Sequence, residues 1–313
     1  MAHGHMAPAA RPLEGDASPA EGAGSAGDAA EVPEVAAPWW DIRATFSGED
    51  KAFLRHALVA GILAALACGF VGVFVVLKRI VFVGVALAEM SSAGIALALL
   101  VGFSPLLGAL AFTLAGVLLF AARLSPRRVP NESSIGVIYA IAGAVAILLI
   151  ARAPGGETHM LKLLQGDVLT VDVGETEQMA GIYLVLGALY ALFFKEFTLV
   201  SFDRDQASTL GFRAAFWDTL LFASIGGVIA FSIRAVGVLL TSTLLVMPAV
   251  TALLNCRRLR SSLMLAPALA VVAVVLGLHF SLVLDVPASA MTAAVSFVFL
   301  IVGALVPALT KRA

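Results

Sequence analysis

Long apolar runs separated by short polar segments fill the chain after residue 50. Most are close to the roughly 20 residues that an α-helix needs to cross the hydrocarbon core of a bilayer. Nine runs can be counted, and the short or interrupted ones leave eight to ten spans open. The predicted runs are Ala57–Leu77, Val81–Val101, Leu106–Leu124, Ile135–Ile150, Met179–Phe194, Phe216–Ile233, Val236–Leu254, Leu263–Leu284 and Ala290–Leu309. The pattern predicts an all-α polytopic membrane protein.

Composition supports the same fold class. Of the 313 residues, 60% are hydrophobic and 13% are charged, whereas an average soluble domain has about 25% charged residues. A soluble fold of this size could not cover so much apolar surface with polar groups. The net charge of −1 gives no reason to expect a nucleic-acid partner. The two cysteines have no paired spacing that would indicate a disulfide framework or a zinc cluster.

Residues 1–50 differ from the rest of the chain. They are rich in Ala, Pro, Gly and acidic residues and show no apolar periodicity. Such a segment cannot bury enough apolar surface to offset the entropy of ordering it. We therefore expect a disordered acidic tail with an interfacial lead-in over 1–50 and a transmembrane domain over 51–313, with membrane lipid around it.

The distribution of Lys and Arg predicts the orientation. Basic residues gather in the segments that follow the first, third, fifth and seventh runs and at the C-terminus. Positively charged loops stay on the cytoplasmic side of a membrane. The segment Lys195–Arg213, between the fifth and sixth runs, is therefore expected to face the cytoplasm. The polar stretch Ala151–Gln178 is expected outside the bilayer, with one short amphipathic helix over 159–169.

Glu89 is the most informative single residue, because it lies near the middle of the second run. An ionised side chain there costs about 2.5–3.5 kcal/mol on insertion scales, and intramembrane carboxylates usually face a cavity, a partner or an ion. Ser92 shares its helix face. The two side chains form an oxygen-rich patch that suits a hard or borderline cation. The alternative is a protonated Glu89 hydrogen-bonded between helices, or a Glu89 that snorkels at the end of a broken helix.

Two further features can be interpreted from the residues alone. His279 is a weaker candidate for the metal path, since a lone intramembrane histidine more often bonds a neighbouring helix than a metal. Within Lys195–Arg213, residues Asp203–Leu210 predict a short amphipathic helix that ends at Gly211. That helix could dock a soluble partner or simply connect two spans. No Gly-x-x-x-x-Gly-Lys phosphate loop occurs, so this chain is not expected to bind ATP in that manner.

Six segments in the same order resemble the metal-ion ABC-3 permease family, the integral-membrane subunits of zinc/manganese ABC importers. The segments are GVFVVLKRIVFVGVALAEMSSAGIA (72–96), NESSIGVIYA (131–140), LLQGDVLTV (163–171), SFDRDQASTLGF (201–212), VGVLLTSTLLVMPAVTA (236–252) and LDVPASA (284–290). Together they span nearly the whole predicted membrane portion, roughly residues 53–309.

The resemblance implies a multi-pass permease of the type II ABC-importer kind in a bacterial inner membrane. It implies a non-catalytic subunit without a tightly bound cofactor, which carries a divalent metal while a partner subunit hydrolyses ATP. The expected partners are a second permease copy, cytoplasmic ATP-binding subunits and an extracytoplasmic metal-binding protein. Asp203, Asp205, Ala207 and Gly211 would form the helix that couples the permease to the ATPase.

One departure from the family pattern bears on the metal. The family's second span usually reads Gly-Asp-x-x-x-His, and the matching positions here are Gly84, Val85 and Glu89. Residues four apart share one helix face, so one carboxylate stands where the family has an Asp–His pair. Such a site would favour ions that prefer oxygen ligands over zinc, which usually takes nitrogen and sulfur. Alternatively, the path needs no ligand, since a transporter that holds its ion too tightly cannot release it.

Three functional alternatives accompany the leading one, an ABC importer permease for zinc or, in second place, manganese. A related permease could carry iron or a metal chelate. An ATPase-independent secondary carrier could use Glu89 as its proton or ion site. A non-transporting scaffold subunit is the third.

Overall fold

The computed structural model describes residues 52–121, 131–152 and 173–310. All regular elements within these ranges are helices. In chain order they are α1 (Ala52–Leu77), α2 (Val81–Val101), α3 (Pro105–Ala121), α4 (Asn131–Ile150), α5 (Val173–Leu192), α6 (Phe194–Phe202), α7 (Arg204–Thr209), α8 (Ala214–Asn255), α9 (Leu259–Leu284) and α10 (Ala288–Thr310).

The apolar helices agree with the predicted multi-span architecture. By length and composition, α1, α2, α8, α9 and α10 can each cross a membrane, and α5 with α6 adds a sixth candidate that is bent by 75°. Apolar portions of α3 and α4 are shorter, at 10–17 residues. Within the described residues the predicted runs fall on helical segments, and the predicted all-α polytopic class is confirmed.

Most helices begin a few residues before the predicted runs, and the difference is largest at α5. Helix α5 begins at Val173, six residues before the predicted Met179, because its first turns carry polar side chains that hydropathy counts as loop. The predicted loop Lys195–Arg213 is largely helical, since α6 and α7 occupy most of it. The predicted helix over 159–169 and the tail over 1–50 lie outside the described residues.

Helix α8 has 42 residues, twice the length of one span, and it reverses at Gly237. Ser232 Oγ lies 3.3 Å from Cys68 Sγ of α1, and Leu245 packs against Gly72, only one turn further along α1. A straight helix would place residue 245 about 20 Å beyond residue 232 along its axis. The axis therefore turns back at Gly237, whose φ of 81° and ψ of 170° are open essentially only to glycine. The predicted sixth and seventh runs are its two halves.

The two halves of α8 form the centre of the packing. They contact α1, α2, α3, α5, α9 and α10. Glycines allow backbone-to-backbone approach at the tightest crossings, as TM helices commonly require. A Cβ at Gly72 would collide with the Leu245 carbonyl oxygen. In the same way, a Cβ at Gly94 of α2 would collide with the Gly108 carbonyl oxygen of α3, and a Cβ at Gly108 with the Gly94 carbonyl oxygen. Large apolar side chains on α4, α5 and α10 remain exposed, as lipid-facing surfaces are.

Candidate metal path and coupling segment

Glu89 lies in the middle of α2 and is half-buried. Its carboxylate points towards α4, where a Cβ added to Gly143 would lie 3.5 Å from Glu89 Oε2. A Cβ at Gly143 would be in van der Waals contact with the carboxylate, so Glu89 packs directly beside α4. Val85, one turn earlier on the same face, is half-buried and apolar. The geometry offers a carboxylate that lies against α4.

Hydroxyl groups follow Glu89 on α2. Ser91 and Ser92 are both buried, and Ser92 shares the Glu89 face of the helix. Ser91 Oγ has no hydrogen-bond partner within the described chain, and neither does Thr113 Oγ1 on the neighbouring α3. The polar character predicted for this stretch is therefore present inside the helix packing.

His279 does not join this patch. It is buried near the end of α9, with its ring 5.4 Å from that of Phe280. Helix α9 packs against α1, α8 and α10, whereas Glu89 faces α4. In the part of the chain that the structure describes, no three His, Cys, Asp or Glu side chains come together as a metal-binding group. Among the described residues, therefore, no metal-binding group forms around Glu89, and His279 lies on a different helix.

The coupling segment, residues 194–213, begins where the chain bends by 75° after α5. Helix α6 ends at Phe202, and Asp203 takes an extended conformation with φ −149° and ψ 105°. Asp203 Oδ1 accepts hydrogen bonds from the backbone N–H groups of Asp205 and Gln206, each at 2.9 Å. This is an N-cap, which satisfies donors that the first turn of a helix leaves unpaired.

A Schellman motif ends α7. Phe212 N–H donates to the Ala207 carbonyl and Gly211 N–H to the Ser208 carbonyl, both at 3.1 Å. Gly211 has a φ of +85°, the left-handed conformation that this motif places at the residue after a helix. The sequence-based helix over Asp203–Leu210 with a stop at Gly211 is therefore present in the structure.

Helix α7 has one buried and one exposed side. Ala207 is fully buried and packs with Val200 of α6 and Ala214 of α8. The Asp205 side is exposed, and so are two apolar side chains just beyond it, Leu210 at 62% and Phe212 at 39%. Apolar side chains beside polar ones on an exposed helix are the composition of a protein docking surface.

Comparison with known proteins decides the family. The sequence profile of the ABC 3 transport family matches residues 50–306, more than four fifths of the chain. The chain belongs to the ABC 3 transport family. It is therefore a multi-pass membrane permease.

Individual members and a solved structure agree with this assignment. The chain is similar to the manganese transport system membrane protein MntC of Listeria monocytogenes, with 28% identity over 76% of this chain and 85% of the relative. It is also similar to the manganese import system permease protein ScaB of Streptococcus gordonii, with 28% identity over 76% of this chain and 86% of the relative. Its fold matches PsaBC from Streptococcus pneumoniae in complex with Fab, with 26% identity, a TM-score of 0.74, and coverage of 80% and 91% of the two chains.

This ABC 3 permease also holds an ion pair that the sequence analysis missed. Lys78, at the end of α1, contacts Asp218 in the first turns of α8, and both side chains are about one-tenth exposed. Hydropathy assigned Lys78 to a cytoplasmic loop. The available signal was Asp218, which lies inside the predicted sixth run, because an ionisable residue there calls for a partner.

A series of polar contacts between α5 and the first half of α8 was also missed. Tyr183 bonds Ser232 and Tyr190 bonds Ser224, each with 2.7 Å between the oxygens. Glu175 at the start of α5 pairs with Arg234. The partner numbers fall along α8 as those on α5 rise, so the helices are antiparallel. Single tyrosines in apolar runs carry no signal that would identify their partners.

Proposed function

We propose that this chain is the membrane subunit of a bacterial inner-membrane ABC importer that carries manganese(II) or zinc(II) ions. Family membership supports the transporter class, and the relatives named above are manganese permeases. A non-catalytic role for this chain, with ATP bound and hydrolysed on a partner subunit, is part of the proposal. A second permease copy and an extracytoplasmic metal-binding protein complete the proposed complex.

The observation that carries the metal assignment is the carboxylate of Glu89, half-buried in the middle of α2 and packed beside Gly143 of α4. Carboxylate and hydroxyl oxygens suit manganese, whereas zinc is usually held by nitrogen and sulfur. The proposal therefore places manganese before zinc. A single carboxylate also binds weakly enough to release its ion, which conduction requires. The hydroxyl oxygen of Ser92, on the same helix face, is the proposed second ligand. His279 is not proposed as a ligand, because it lies on α9, away from Glu89.

The coupling segment supports dependence on an ATPase. Its exposed side, with Asp205, Leu210 and Phe212, is proposed to enter a groove of the ATP-binding subunit. Asp203 and Gly211 are proposed to stabilise the two ends of α7, and Ala207 to pack α7 against the membrane helices. A secondary carrier with Glu89 as a proton site would have no use for this surface, so the importer is favoured over the carrier.

The test is elemental analysis of cells that lack this chain, grown under metal limitation and complemented with wild type, Glu89→Gln or Glu177→Gln. Glu177 is an exposed acid on α5 and serves as the matched control. We expect cellular manganese to fall in the deletion and to be restored by wild type and by Glu177→Gln but not by Glu89→Gln. Full restoration by Glu89→Gln would refute the role of Glu89. An unchanged metal content in the deletion would refute the importer itself.

A further inference from the structure

Lys78 contacts three helices at one end of the protein. It is the first residue after α1, and its Nζ donates hydrogen bonds to Asp218 Oδ1 on α8 and, at 3.2 Å, to the carbonyl oxygen of Val200 on α6. The ammonium group also lies 5.9 Å from the ring centroid of Phe222. Burial leaves the Lys78 and Asp218 side chains only 10% exposed, so water screens this contact weakly.

The Val200 carbonyl is a specific anchor for this cation. Helix α6 ends at Phe202, so the Val200 carbonyl is among the last four, which lack the usual partners within a helix. A cation at a helix C-terminus also complements the helix dipole. The Lys78 side chain therefore binds the backbone of α6, close to the residue where α6 ends and α7 follows.

The same point is where α7 rests on the membrane helices. Val200, Ala207 and Ala214 form one small buried cluster, which links α6, α7 and the start of α8. A displacement of α7 must therefore move the Val200 region, and Lys78 ties that region directly to α1 and α8. The chain bends by 75° between α5 and α6, and α6 packs on the membrane helices through the buried side chains of Phe197 and Val200.

We propose that Lys78 is a positioning residue for transport, which passes movement of the coupling segment to α1 and α8 through its bonds to Val200 and Asp218. The inference rests on the proposed function, because it presupposes that α7 receives the ATPase. It adds a residue outside the coupling segment and outside the metal path. If the bonds of Lys78 to Val200 and Asp218 are removed, ATP hydrolysis should continue without a matching movement of the membrane helices.

A buried ion pair can be removed without loss of the fold if no unpaired charge remains, since such pairs contribute little net stability. The double variant Lys78→Met with Asp218→Asn removes both charges of this pair together and keeps an acceptor oxygen at position 218. Arg79→Met is the matched control, because Arg79 is an exposed cation at the next position. Each permease is assembled with its ATP-binding subunits in proteoliposomes, and manganese uptake and ATP hydrolysis are measured together.

We expect the double variant to assemble and hydrolyse ATP at close to the wild-type rate while importing less manganese per ATP, by about fivefold or more for a coupling free energy of typical size. Arg79→Met should keep the wild-type ratio. An unchanged ratio in the double variant, an equal fall in Arg79→Met, or failure of the double variant to assemble would each overturn the inference and leave the proposed function standing. If the wild-type complex imports no metal, the proposed function fails, and the inference fails with it.

Discussion

The N-cap of α7 allows a quantitative test of the coupling segment. Asp203 Oδ1 accepts two backbone hydrogen bonds at 2.9 Å, and the helix that follows has only six residues. So short a helix is marginal without its ends satisfied. Asp203→Ala removes both bonds, and loss of an N-cap costs about 1 kcal/mol. Since 1.4 kcal/mol is tenfold in an equilibrium constant, the equilibrium constant for ordering α7 should fall about fivefold.

If the ATP-binding subunit docks on ordered α7, and so short a helix is only marginally ordered before docking, its affinity should fall by up to the same factor. The assay is a titration of purified ATP-binding subunit onto the permease in nanodiscs, with bound fraction and ATP hydrolysis as readouts. Asp203→Asn retains an acceptor oxygen and should bind close to wild type. Equal binding by wild type and Asp203→Ala would refute the role of the cap. An equal loss in Asp203→Asn would show that the negative charge matters and that the cap does not.

Three further predictions concern packing within the membrane. Gly72→Ala should destabilise the permease by about 1–3 kcal/mol, because the new methyl group would collide with the Leu245 carbonyl. Gly187→Ala is the control and should change the stability little, because nothing lies within 4 Å of the new methyl group. Unfolding in detergent measures both variants. Gly237→Ala should cost about 1–3 kcal/mol, as its backbone region is closed to alanine, and a melting temperature equal to wild type would contradict the reversal. Tyr190→Phe removes one buried hydrogen bond and should cost about 0.6 kcal/mol in the same unfolding assay.

The sequence could predict those features that depend on local chemistry. The second apolar run has the same bounds as α2, because continuous apolar side chains and the need to satisfy backbone groups inside a bilayer leave few alternatives to a helix. The α7 cap and the Gly211 stop were also predictable, since Asp at an N-cap and Gly in a left-handed turn each act through their own backbone. Hydropathy could not find the polar start of α5 or the helical character of α6, because it measures partition into lipid rather than helix formation.

For the candidate site, too, local chemistry could be predicted from the sequence and contacts between distant residues could not. By itself the sequence determined that Glu89 is an intramembrane carboxylate, that Ser92 shares its face, and that no histidine follows one turn after Val85, because covalent spacing on a helix decides these relations. The contact of Glu89 with the Gly143 position of α4, and the separation of His279 from Glu89, come from the tertiary structure. The same holds for the partners of Lys78. These are contacts between residues far apart in the chain, and they depend on which glycines let helices approach and where α8 turns back, which no local pattern records.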